Sequence, residues 1–564
     1  MVADSSPGLE PADSDGAAPA EERRSDADAT DDVTTGVADG AAADSETADA
    51  GGEGATDDEP GRDPVEARLE DALERVAHGA TVSVPSILLQ RGLTLAFTAV
   101  LTNGFTAGAY GLFALARRLQ RFLLRLALGF RSGLSRFLPN AESATERDAL
   151  ATFASLLLLG VATAFGAALF VAAPHVTRAT GEGARFTLFL RVFAAGLPAS
   201  VWLFTVTEIL RGMEEVGPLN LTMRVGFPIA QLLVGVGGVL VVDDLAVVAG
   251  GVVGVMGLTG VAAATWLVRE RGLRPRLRGP DVARLRRQYL AFTLPLFVGG
   301  IATTTQRLGF YPLIALFLSS VAGGVFAVGV LLGTLVRLPL MGINQFIPPV
   351  AAALHEEDQR EALARLYHVT SRLVLVGVTG LAIPVIVYRV AVMRLFGPTF
   401  VEYAPLLPGF IVAQYGACAA GSVGILLTMT DNQRALLIVN VAITAFLTVT
   451  AVPLTLTYGL PGLVGSYLLM LTVNNGLEVA VLYYLEGLQP FTRLHAKPLI
   501  AGVPLAAVAL AARALLPGAV AAVTGTVLGL AAYAAALRSL GFTRVERRLG
   551  ATLVSRYRQA FAHR

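Results

Sequence analysis

An all-α integral membrane protein is predicted, with about fourteen transmembrane helices set out as two pseudo-symmetric six-helix bundles around a central cavity, plus two C-terminal helices. Three observations carry this. Apolar runs of spanning length recur along almost the whole chain beyond residue 80. The loops between them alternate between arginine-rich and arginine-poor. Polar residues set into the first apolar runs return in later ones at a constant offset of 216 residues.

The 564 residues are 54% hydrophobic with a mean hydropathy of +0.61, a composition that excludes an ordinary soluble enzyme. The beginning of the chain departs from this. Residues 1–76 hold 23 Asp/Glu against 5 Arg, which leaves 20 acidic and 39 basic residues for the remainder. Residues 1–62 read as a disordered acidic cytoplasmic tail, because their Ala, Gly, Asp and Ser bury too little apolar surface to impose order. They lack the basic start and apolar run of a secretory signal peptide. Asp63-Pro-Val-Glu66 has the form of a helix start, and Val65, Leu69, Leu73 and Val76 share one face. An interfacial amphipathic helix is therefore expected over 63–77. Cys418 stands alone, so neither a disulfide framework nor a thiolate metal site is available.

The expected spans lie near 81–102, 107–130, 150–172, 186–210, 218–241, 245–267, 289–318, 321–345, 368–392, 404–428, 435–457, 460–484, 498–515 and 518–537. With this alternation, loops on the side of the chain ends carry 29 basic residues and loops on the other side carry 5. The positive-inside rule then places both termini in the cytoplasm of a multi-pass cell-membrane protein. The first bundle is expected over 78–268, a basic cytoplasmic linker over 269–288, and the second bundle over 289–486. The two extra helices fall in 487–540, and a basic tail fills 541–564. The arginine-dense linker reads as a topology anchor against anionic headgroups.

Gln90-Arg91 and Gln306-Arg307 form the internal repeat together with Arg121 and Arg337, and Gly108 and Gly324 share the same offset. A guanidinium in mid-span costs roughly 2.5–3.5 kcal/mol even on lenient insertion scales, so it should face protein or a wet cavity. The second span adds Arg117, Arg118 and Arg125 to Arg121, all within about 100° of helical arc. Such groups match phosphate and pyrophosphate through paired, charge-assisted hydrogen bonds. Gln90, Arg91, Arg117, Arg118, Arg121, Gln306, Arg307 and Arg337 are the candidate binding residues for an anionic cargo. Arg125 is also read as a snorkelling side chain, Arg191 as structural, and an ion pair of Arg117 or Arg118 with Glu208 as an alternative. Glu208, Glu402 and Glu478 are the main membrane carboxylates able to neutralise the set.

Several other features read as structural. Asp243-Asp244 is a solvated turn, His355-Glu-Glu-Asp358 a helix start without a second ligand cluster, and the Asn220-Leu-Thr222 sequon silent on the cytoplasmic side. Glycines 251, 254, 257 and 260 permit close helix packing.

Further residues carry a family resemblance: Gly108-Ala-Tyr-Gly-Leu-Phe-Ala114, Phe137-Leu-Pro139, Arg211-Gly212, Ala322-Gly-Gly-Val-Phe-Ala327 and Pro348-Pro349. Leu395-Phe-Gly397, Tyr403-Ala-Pro405, Asn440 and Tyr458-Gly-Leu-Pro-Gly462 follow in order. In this order and spacing the chain resembles the multidrug/oligosaccharidyl-lipid/polysaccharide (MOP) exporter superfamily, within it the polysaccharide-type flippase branch. The resemblance implies two bundles forming a V, and alternating-access flipping of a polyprenol-(pyro)phosphate-linked oligosaccharide for surface polysaccharide or glycoprotein synthesis. It also implies cavity arginines that hold the lipid pyrophosphate, with Arg91, Arg121, Arg307 and Arg337 on comparable helices. Polysaccharide-type relatives often carry an Asp in span seven, where this chain departs from them with Gln306-Arg307.

Two rivals follow. A cation-coupled multidrug exporter of this fold needs a buried carboxylate in its first bundle, and span one, from Val82 to Thr102, has none. A membrane glycan polymerase or glycosyltransferase needs a sizeable catalytic loop, and every expected outer loop is short. The chain is thus expected to be a non-enzymatic monomer without cofactor, metal or nucleic acid. Its expected partners are membrane lipids, the lipid-linked oligosaccharide and glycan-assembly enzymes.

Overall fold

The computed structural model describes residues 87–213, 215–276 and 282–541. The expected acidic tail, the interfacial helix over 63–77 and the basic tail from residue 542 lie outside these. Among the described residues every regular element is a helix. In chain order they are α1 (87–104), α2 (Ala107–Ala127), α3 (Ala144–Thr180), α4 (Ala184–Gly212), α5 (Gly217–Val242), α6 (Leu245–Glu270) and α7 (Val282–Leu308). After these come α8 (Ser320–Val336), α9 (Arg360–Val387), α10 (Ala404–Met429), α11 (433–458), α12 (460–486), α13 (Arg493–Leu515) and α14 (Gly518–Leu540).

Nine helices among the described residues are long and apolar enough to cross a membrane, counting α11 and α12 as the single run Gln433–Glu486. That run would be about 80 Å long if straight, more than twice a hydrocarbon core. Gly459 divides it, with φ 63° and ψ −137°, a conformation only glycine adopts without strain. The break falls between the expected spans 435–457 and 460–484. Among the remaining helices α2 carries four of the arginines discussed below, which explains why apolarity alone does not select it.

Side-chain caps set the start of several helices. Thr106 accepts from the Ala109 amide at 3.3 Å to open α2, and Ser319 accepts from the Ala322 amide at 3.3 Å to open α8. Asp244 does the same for α6 through the Ala246 amide at 2.8 Å, so the acidic doublet is a capped turn with Asp243 at φ 51°. His355-Glu-Glu-Asp358 ends the helix Ile347–Glu356 and turns at Asp358 into α9. It is a helix end rather than the expected start. Of the four glycines in α6, Gly251 leaves room for Val234 and Gly260 for Trp202 and Leu203, whereas Gly254 has open space beside it.

Three of the five apolar cores among the described residues explain the arrangement. One core is common to both halves of the chain, joining Phe97, Phe113, Phe189 and Val248 to Phe310, Phe326, Phe410 and Tyr467. At its centre α2 and α8 meet at backbone distance. A methyl on Gly111 would enter the Ser320 carbonyl, and one on Gly324 would lie 3.4 Å from the Gly111 Cα. The other two cores are separate. One gathers the basic-loop ends of α2, α3, α4 and α6, and the other gathers 347–369, 420–427 and Leu482. The halves are therefore fused at the end where α2 and α8 begin, and packed independently toward the arginine-rich loops.

Helix α7 departs from the division at residue 289. Tyr289, fully buried, belongs to the first half's core and donates from its hydroxyl to the Phe130 carbonyl at 2.6 Å. Phe297 stacks on Phe130 at 4.8 Å between centroids. Beyond Phe297 the chain crosses to the common core, where Phe310 and Tyr311 of the short helix Phe310–Phe317 pack on Phe326. The first part of α7 thus packs with the bundle that precedes it in sequence, because its aromatic side chains fill the space opened by Gly129 and Gly133.

Candidate functional site: an arginine cluster between the halves

The four arginines of α2 are half-buried and point in different directions. Arg117 turns into the first half. Its guanidinium lies 5.3 Å from the Phe97 ring and 5.9 Å from the Phe113 ring, and with the Gln231 amide oxygen turned toward it, Nη2 and Nη1 donate at 2.6 and 2.9 Å. Arg118 faces the second half instead, 5.0 Å from the centroid of Tyr311. Arg121 lies within electrostatic reach of Arg117, Arg118, Arg125 and Tyr311. One helical face therefore carries the positive charge from the first half to the boundary with the second.

From that boundary the charge continues. Arg307 on α7 lies within reach of Arg125 from α2 and of Arg337. Arg337 is the C-cap of α8, followed by Pro339 at the start of the short helix Leu338–Ile343. The sequence repeat is thus not repeated as local structure, since Arg121 sits inside an unbroken helix and Arg337 on a turn. Arg91 on α1 also bridges the halves, with Nη2 3.8 Å from the Met341 sulfur.

The carboxylates sort themselves clearly. Glu478 on α12 is buried, accepts from the Asn474 amide at 2.7 Å, and stands within reach of Arg337 and Arg307. Gly424 gives its carboxylate room. Glu208 does not pair with Arg117 or Arg118, which corrects that alternative. It accepts from Ser135 at 2.6 Å and pairs with Arg211 at 3.0 Å and Arg131 at 3.8 Å. The reason is distance along α4: Glu208 belongs to the last turns of that helix, beside the basic loops. Glu402 is exposed just after the short helix Pro398–Val401 and takes no part. Arg191 is exposed and lies 5.1 Å from the Phe170 ring.

A stability prediction arises here. Glu208→Ala would leave a serine and two partly exposed arginines without their common acceptor, at a cost of about 1–3 kcal/mol. The expected outcome is a lower unfolding temperature in detergent with no selective change in ligand binding.

Of the expected binding residues, Arg118, Arg121, Arg307 and Arg337 contribute to the cluster and Arg91 bridges the halves separately. Gln306 is engaged elsewhere. Its amide donates to the Asn440 carbonyl at 2.6 Å and to the Asn440 and Thr444 side chains at 3.3 Å each, which ties α7 to α11. Gln90 is half-buried on α1. Sequence reasoning missed Gln231, Tyr311 and Met341 as neighbours of the arginines. Gln231 and Tyr311 had a legible signal, being polar groups in apolar spans, and Met341 had none.

Fused ends, separate basic-end cores and a charged seam between the halves characterise this multi-pass membrane fold, and the comparison with solved structures is specific. The fold is that of the MOP superfamily transporters. It matches an inward-facing multidrug resistance MATE family transporter of that superfamily with a TM-score of 0.63 and 17% identity, over 72% of this chain and 98% of the other. It matches the lipid II flippase MurJ in an inward closed conformation with a TM-score of 0.66 and 10% identity, over 80% and 96%. A MOP superfamily transporter from Pyrococcus furiosus, whose binding pocket is described as reversed in polarity, matches with a TM-score of 0.53 and 17% identity, over 75% and 97%. No protein-family model matches the chain, and no curated protein matches it.

Proposed function

We propose that the protein flips a polyprenol-phosphate-linked or polyprenol-pyrophosphate-linked oligosaccharide between leaflets by alternating access. The observation that carries this reading is the run of guanidiniums from Arg118 and Arg121 on α2 to Arg307 on α7 and Arg337 at the end of α8. Like charges at about 4 Å repel by about 4 kcal/mol at an effective dielectric of 20, so neighbouring arginines favour an anion between them. A phosphate or diphosphate offers the oxygen spacing that guanidinium forks accept. Cationic drugs are disfavoured by the same field. Glu478 then acts as the resident counter-ion on the second half, releasing Arg307 and Arg337 when the lipid phosphate arrives.

The test is reconstitution in vesicles with a labelled polyprenyl-pyrophosphate oligosaccharide, alongside a cationic dye. Glycan lipid should become accessible to an external glycan-modifying enzyme only when the protein is present, with no dye accumulation. Dye transport driven by a proton or sodium gradient, without movement of the glycan lipid, would sink the reading and leave the multidrug exporter.

A further inference from the structure

Tyr311 belongs to the short helix Phe310–Phe317, which follows α7 after Gly309. Its side chain is 1% exposed, and its hydroxyl has no hydrogen-bond partner among the described residues. A buried phenol O–H without an acceptor has given up water and recovered nothing, so native structures keep few of them. The hydroxyl of Tyr467, within electrostatic reach, is committed elsewhere, since it accepts from the Gln414 amide. Phe326 packs edge-on to the Tyr311 ring at 5.6 Å between centroids and holds its direction.

What lies around this hydroxyl is positive charge. The Arg118 guanidinium stands 5.0 Å from the ring centroid, and Arg118 and Arg121 are both within electrostatic reach of the phenol oxygen. The two arginines are half-buried, so the seam reaches the guanidiniums and stops at the buried hydroxyl beside them. Along α2, Arg125, Arg121 and Arg118 succeed one another toward the end where α2 and α8 begin, with about 4.5 Å of helix rise between the last two. Tyr311 therefore stands at the closed end of the charged run. Guanidiniums only donate, and a phenol beside cations has its proton left to give. A group with several acceptor oxygens satisfies all three side chains.

We propose that the Tyr311 hydroxyl is a ligand-directed donor, hydrogen-bonding a phosphoryl oxygen of the cargo that Arg118 and Arg121 hold at the closed end of the seam. The inference rests on the flippase reading and adds to it an uncharged donor from the second half of the chain. Arg118 lies over the ring in this form, and the hydroxyl becomes available as that side chain turns to the anion. One phosphate held here joins α2 to the helix Phe310–Phe317.

The experiment compares wild type and Tyr311→Phe as full chains in detergent, with inorganic pyrophosphate, polyprenyl pyrophosphate and phosphatidylglycerol as probes. Tyr311→Phe is expected to bind the first two about 10- to 100-fold more weakly, the range for one hydrogen bond to a charged group. Its unfolding temperature without ligand is expected to stay the same or rise, because the lost hydroxyl had no partner to lose. A meta-fluorotyrosine placed at position 311, a stronger donor of nearly the same size, is expected to bind pyrophosphate more tightly. A packing role gives no such gain. Unchanged pyrophosphate affinity in Tyr311→Phe or in the fluorinated chain would overturn the assignment and leave the flippase reading standing. With a lowered unfolding temperature, that result would mark the hydroxyl as bonded within the protein, through a water to Gln414 for example. A loss confined to phosphatidylglycerol would give the seat to ordinary lipid headgroups and overturn it as a cargo contact. Binding of neither pyrophosphate nor polyprenyl pyrophosphate by the wild-type chain would remove the flippase reading and this inference together.

Discussion

Arg307→Ala is expected to abolish flipping of a polyprenyl-pyrophosphate oligosaccharide in reconstituted vesicles while leaving membrane insertion intact. One charge-assisted hydrogen-bonded contact is worth about 1.5–3 kcal/mol. At 1.4 kcal/mol per factor of ten, that is about 10- to 100-fold in affinity for the phosphate. Arg307→Lys should recover part of the loss, because the charge stays and the fork geometry goes. Arg121→Ala should behave similarly, although Arg121 belongs to the first half of the chain and Arg307 to the second. If one anion touches both, the two losses will not multiply independently, and the double variant will show a coupling of about 0.5–3 kcal/mol. Wild-type flipping by Arg307→Ala and by Arg91→Ala would remove the repeated arginine pair from the mechanism.

Gly111→Val is expected to shift the conformational balance away from the form fused where α2 and α8 begin. A side chain at Gly111 would run into the Ser320 carbonyl and carbonyl carbon, and backbone cannot yield as a flexible side chain does. Overpacking of this kind costs typically 1–3 kcal/mol, enough to change a population ratio by about 5- to 100-fold. The only cysteine, Cys418, is buried, so Val321→Cys gives a single reactive thiol at the junction. A membrane-impermeant maleimide should label that thiol faster in the Gly111→Val background. Gly108→Ala is the control, since a methyl there meets nothing nearer than the Ser320 hydroxyl at 3.8 Å. Equal labelling in both backgrounds would mean that the close approach does not govern access.

Residue types and spacing made the fold largely legible. Apolar runs and the glycine at 459 mark where helices begin and turn, because a span is imposed by the thickness of the hydrocarbon core rather than by distant contacts. The arginines were legible as well, since each is costly in its apolar setting and therefore informative. Their directions were not. Whether Arg117 turns to Gln231 or Arg118 to Tyr311 depends on which helices become neighbours, and one residue of rotation separates the two outcomes. Likewise, nothing in the composition of α7 announces that Tyr289 would find its acceptor at Phe130 in the preceding bundle. One expectation differed: the span expected over 321–345 breaks at Arg337, where Pro339 opens a new short helix.

Helix α7 is sewn to the first bundle through Tyr289 and Phe297, and the short helix Phe310–Phe317 that follows it is sewn into the common core through Phe310 and Tyr311. Two rigid bodies joined by such a strap cannot rock freely, because every degree of separation must be absorbed as curvature in the strap. The free part of the strap is the stretch between Phe297 and Phe310, so the elastic resistance to any rocking of one bundle against the other is set by that single short stretch of chain.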